Sequence, residues 1–177
     1  MNIRDEILKE HSKKQSEKIA AYIGSDEKRF IELMNLFLGD IYRVTQRAAM
    51  IVSICAERNP KLIEPFLSKM VNNLNERVHD AVKRNTLRIF QFIELPKKLW
   101  GKTAGICFRF LMDANEPIAV KVFAMSVLSN ICKYEPELKN ELKLVLEDQL
   151  ENASAGFKAR AQKVLNGNNI SYKFISK

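Results

Sequence analysis

The chain repeats itself, and a repeat constrains a fold more tightly than any composition does. QRAAMIVSI at 46–54 stacks on KRNTLRIFQ at 83–91, KVFAMSVLS at 121–129 and KARAQKVLN at 158–166, with spacings of 37, 38 and 37 residues. A period of this length marks an array of one supersecondary unit, whose apolar face stays exposed unless the copies stack. The register brings together the small residues Ala49, Thr86, Ala124 and Ala161 and, three positions on, the branched residues Val52, Ile89, Val127 and Val164. Small side chains let neighbouring helices approach closely, and branched ones fill the space between copies.

Apolar residues recur at spacings of three and four almost throughout, so the chain reads as all-α. Ser12 followed by Gln15 forms a capping-box start for a helix over 12–23 that ends at Gly24. Ser25 is the expected cap of a second helix, ending at Gly39 and burying Phe30, Leu33, Met34, Phe37 and Leu38. Further helices are expected at 41–58, 62–74, 79–94, 98–112, 118–134, 137–150 and 155–165. Residues 1–166 form the expected single repeat domain, clearest over 25–166, and GNNISYKFISK at 167–177 reads as a loose or short extended tail.

These hairpins resemble the HEAT family of armadillo-like helical repeats. In that family each unit pairs an outer helix A with an inner helix B, joined by a turn that often carries an Asp, with a basic residue six positions later. Asp40 and Gln46, Arg77 and Lys83, Asn115 and Lys121, and Asn152 and Lys158 occupy those columns. Only the first copy keeps the Asp, and none keeps both members. The resemblance implies an all-α superhelix, a solenoid of HEAT-like hairpins; it says little about function, since fold and function are separable.

Charge is where the chain departs from a plain solenoid. The net charge is +8, and the excess is uneven. The B-helix windows 41–60, 80–98, 117–134 and 155–177 carry +2, +3, +2 and +5, whereas the A-helix windows 61–79, 99–116 and 135–154 carry +1, 0 and −4. If B helices line the inner curve, as the resemblance implies, that face carries +12 and would focus field on an anionic partner, an acidic protein segment or a nucleic-acid backbone. The candidate contacts are Arg47, Lys83, Arg84, Arg88, Lys121, Lys158, Arg160 and Lys163. For Lys83, Lys121 and Lys158 a second reading stands beside this one, since their column is where the family keeps a basic residue to bridge neighbouring repeats. Arg47 and Arg84 share one column and Arg88 and Lys163 another, and arginine offers phosphate a planar fork of donors.

Tyr42, Phe90, Phe92, Phe123, Tyr134 and Phe157, on or beside B helices, are either base-stacking platforms or core. Trp100, among Lys97, Lys98 and Lys102, is either a contact for a base or peptide or packing against the previous repeat. Catalysis has little support. His79 adjoins Asp80, but neighbours on a helix point about 100° apart, and neither a phosphate loop nor metal-ligand spacing is present. No cofactor is expected. The rival reading is a DNA glycosylase for alkylated bases, because such enzymes can be built from HEAT-like repeats. It is weakened by B helices that lack Trp and hold only Glu57, Asp80 and Glu94 as acids. Cys55, Cys107 and Cys132 sit singly in apolar runs, as reduced core residues of a cytoplasmic protein do. The opening MNIRDEILKEHSKKQ does not read as a secretory leader, and no membrane span is expected. Self-association is a further expectation, with the acidic helix 137–150 meeting a neighbour's basic face.

Overall fold

The computed structural model describes residues 1–167, and the expected tail, apart from Gly167, lies outside the described residues. Among those residues every regular element is helical. The backbone groups into two units, Met1–Ile89 and Phe90–Lys177.

The first unit opens with a helix that periodicity did not predict. Helix α1 (Ile3–Lys9) is capped by Asn2, whose side chain accepts the Asp5 N–H. With seven residues it is too short to persist alone, and it holds because Ile3 and Ile7 are buried and it packs on α4. Helix α2 (Lys13–Ile23) starts at the Ser12 cap and stops at Gly24, whose positive φ of 54° lets its N–H reach the Ala20 carbonyl. Helix α3 (Glu27–Phe37) is capped by Asp26 rather than Ser25, because the carboxylate accepts the Arg29 N–H. Its stripe buries Phe30, Leu33, Met34 and Phe37, while Leu38, already past the helix end, is only half-buried.

Helix α4 (Tyr42–Arg58) is the centre of this unit, with α1, α2 and α3 all packed on it. The single helix expected over 62–74 is instead two 3-10 turns, Pro60–Leu62 and Glu64–Phe66, leading into the short α5 (Leu67–Asn73). Pro65 explains the difference, since it lacks an N–H and its ring clashes with the preceding helical turn. The segment still reaches the core: Ile63, Met70 and Val71 are fully buried, and Phe66 meets Phe30 edge-on at 5.8 Å. Helix α6 (Asp80–Phe90) ends four residues before its expected limit.

In the second unit, α7 (Lys97–Met112) and α8 (Ile118–Ile131) each begin directly after a proline, Pro96 and Pro117. A proline there has a fixed φ and loses no helical hydrogen bond. Helix α8 is the hub, packed by α7, α9 (Leu138–Leu150) and α10 (Ala155–Leu165). It is apolar nearly all round, as a helix surrounded by neighbours must be.

Candidate functional site

The repeat register sets the B helices. Ala49 on α4, Thr86 on α6, Ala124 on α8 and Ala161 on α10 are each no more than 1% exposed. Val52, Ile89 and Val127 are buried too, and Val164 is half-buried. With those positions turned inward, helical geometry fixes which residues reach solvent, and the eight candidate cations separate by what they meet there.

In the first unit, Arg47 turns back to α1: its Nη1 donates to the carbonyls of Ile7 and Leu8 at 3.2 and 2.9 Å. Those carbonyls belong to the last turn of α1, which leaves acceptors unpaired and carries partial negative charge. Arg88 pairs with Glu57 of α4 at 2.5 Å, and Lys83 with Asp80 one turn earlier at 3.4 Å. Arg84 is exposed and makes no ion pair among the described residues.

In the second unit, Lys121 is 7% exposed and donates to Gln149 Oε1 of α9 at 3.4 Å. Lys158 donates to the Glu151 carbonyl just past α9, at 3.1 Å. Both lysines therefore reach from a B helix to the neighbouring A helix. Arg160 sits half-buried among neutral groups, donating to Ser126 Oγ at 2.6 Å and Gln91 Oε1 at 3.3 Å. Burial lowers its pKa from the ordinary arginine value. Lys163, one turn further along α10, is exposed and without an ion pair among the described residues. Sequence reasoning passed over Arg43, exposed on α4 one turn before Arg47; it lies outside the repeat columns, and helical spacing from Arg47 was the signal available.

Of the aromatic residues, Phe90 and Phe157 are core, each 1% exposed. Phe92 and Phe123 are half-buried. Trp100 stacks on Tyr134 with ring centres 4.7 Å apart, donates to the Leu95 carbonyl at 2.7 Å, and is closed in by the Tyr134–Glu94 hydrogen bond. The adjoining cavity, about 10 Å³, has room for one water and none for a base. Tyr42 is 66% exposed, its ring against His79 at 4.6 Å. His79 Nδ1 accepts the Ala81 N–H at 2.9 Å, which makes it a helix-start cap for α6.

The three cysteines are buried and free. Burial pushes the Cys55 thiol up to about 12 and raises Cys107 and Cys132, the opposite of what a nucleophile needs. Among the described residues no group of three or more His, Cys, Asp and Glu side chains could hold a metal ion. No helix there is long and apolar enough to cross a membrane.

A family model for the HEAT repeat domain matches residues 3–168. No curated protein shows a match to the chain.

Proposed function

Because the chain belongs to the HEAT repeat domain family, a family of repeat scaffolds for binding, we propose that it is a non-catalytic module holding an anionic partner on the basic faces that the B helices present within each unit. The observation that carries this reading is the charge of the B helices themselves, where α4, α6, α8 and α10 carry +2, +2, +1 and +3. A surface of one sign draws an oppositely charged partner and speeds its encounter. A protein segment rich in Asp and Glu is the partner proposed, and a nucleic-acid backbone is the competing ligand.

The eight cations have unequal parts in this. Arg47, Lys121, Lys158 and Arg160 spend donors on carbonyls and neutral side chains within their own units, and Arg88 is held by Glu57. Arg84 and Lys163 keep their charge for a partner, one in each unit. Charge reversal at these two exposed positions tests the faces without disturbing their packing.

The experiment is fluorescence anisotropy with an acidic peptide and with single- and double-stranded DNA, titrated at several salt concentrations. Arg84→Glu with Lys163→Glu is expected to weaken binding at least tenfold while the helical circular dichroism stays native. Unchanged binding of every probe would overturn the role of these faces. A steep fall of log affinity with log salt on DNA would point to phosphate neutralisation. Assaying the same DNA for release of alkylated bases tests the glycosylase alternative directly.

A further inference from the structure

The second unit also holds a groove that takes Val164 from the repeat columns but none of the eight candidate cations. It lies where the end of α8, the start of α9 and the end of α10 meet, with a volume of about 330 Å³. Lys133, Lys139 and Lys143 line it together with Leu142, Val164 and Leu165, and none of the described residues lining it is acidic. Three cations thus converge in a stretch whose surroundings are acidic: the window 135–154 is net −4. Lys139 and Lys143 are four residues apart on α9 and so share one helical face. Lys139 makes no ion pair among the described residues, and Lys143 has only the exposed pair with Glu147 at 3.8 Å, of a kind that contributes little.

Lys133 is held in position. Its Nζ donates to Asn130 Oδ1 at 3.0 Å, and Asn130 in turn donates to the Gln91 carbonyl at 3.0 Å. Gln91 is the residue whose side chain accepts from Arg160. One network of neutral amides therefore supports two cations, and desolvation lowers the pKa of both. An anion arriving in the groove would offset that desolvation.

We propose that this groove binds an acidic segment of a partner protein whose aliphatic side chains rest on Leu142, Val164 and Leu165 while its carboxylates meet Lys133, Lys139 and Lys143. An apolar floor inside a charged rim is the arrangement of a protein-protein contact. A nucleic-acid strand is the poorer fit, because its bases need aromatic platforms and no aromatic ring among the described residues lines the groove. The site is separate from the B-helix faces proposed above and does not depend on them.

The test compares two variants of the full chain that change net charge equally: Lys139→Glu with Lys143→Glu, and Arg84→Glu with Lys163→Glu. The probes are a fluorescein-labelled dodecapeptide, (Asp-Glu-Leu)4, and a labelled dT12 strand. The groove variant is expected to lose at least tenfold in peptide affinity at low salt, over and above any loss at the B-helix positions, with Lys139→Arg and Lys143→Arg restoring binding. In the native chain the methyl resonances of Leu142 and Val164 are expected to shift on adding peptide, a readout that survives if the charge-reversal variant fails to fold. Peptide binding untouched by the groove variant, silent methyl groups, or dT12 binding the groove more tightly than the peptide would each overturn the proposal. Loss confined to the Arg84 and Lys163 variant would overturn the groove and leave the B-helix faces standing; loss in neither would remove both.

Discussion

Single residues illustrate how a local signal and a distant partner share control. Glu6 is buried at the junction of α1 and α2, where Lys9, Gln15 and Lys18 all donate to its carboxylate. The hydrogen bond from Lys9 first, then those from Gln15 and Lys18, outweigh the opposing effect of burial and hold its pKa near 2 instead of 4.5. A lowered carboxyl pKa contributes stability that is complete above the unfolded value and disappears as pH falls through the folded one. Acidifying from pH 5 to pH 2 is therefore expected to lower the thermal midpoint of the native chain more than that of Glu6→Gln, and parallel curves would refute the assignment. Thr86 makes the opposite case. It takes the column position held elsewhere by Ala49, Ala124 and Ala161, and its Oγ1 is buried without a hydrogen-bond partner among the described residues. Replacing a buried unpaired hydroxyl with a methyl of the same shape removes a desolvation cost, so Thr86→Val is expected to gain about 1 kcal/mol in urea unfolding. Sequence placed Thr86 in the core column, but only packing could show that its hydroxyl finds nothing there.

At the scale of elements, most of the fold was legible and the exceptions have identifiable causes. Helices α2, α4, α7, α9 and α10 fall within a residue or so of their expected spans, because each carries a long apolar stripe with a recognisable start or stop. Helix α1 carries only Ile3 and Ile7 as its buried apolar pair, too little periodicity to detect in seven residues. Arg47, 40 residues from Ile7, is what ties its end to α4. Arg47→Ala is expected to raise hydrogen exchange across α1 by about tenfold, corresponding to the roughly 1.5 kcal/mol or more of hydrogen bonds to a charged group, while α4 amides keep their protection. Equal protection in the variant would mean that burial of Ile3 and Ile7 alone holds the helix.

For the molecule as a whole, the buried thiols give a probe in each unit: Cys55 in the first, Cys107 and Cys132 in the second. With exposures of 2%, 0% and 3% and thiol pKa values raised by burial, none is expected to react with a disulfide reagent at neutral pH in the native chain. All three are expected to react in urea, and stoichiometric labelling of the native chain would contradict the packing described. The sequence alone determined the period, the helical class and the core columns, because a stacked repeat writes its buried face into local spacing. It also located the charge excess, but not which cations remain available. Arg160 meets Gln91 across 69 residues of chain, and Lys121 meets Gln149 across 28. The partners of such long, flexible side chains depend on which helices the fold brings near. The groove of Lys133, Lys139 and Lys143 has the same origin: three helix ends assemble it, and the charge of the surrounding sequence has the opposite sign. Only tertiary structure could decide these points, since periodicity governs which face a helix buries and three-dimensional proximity governs what its exposed charges meet.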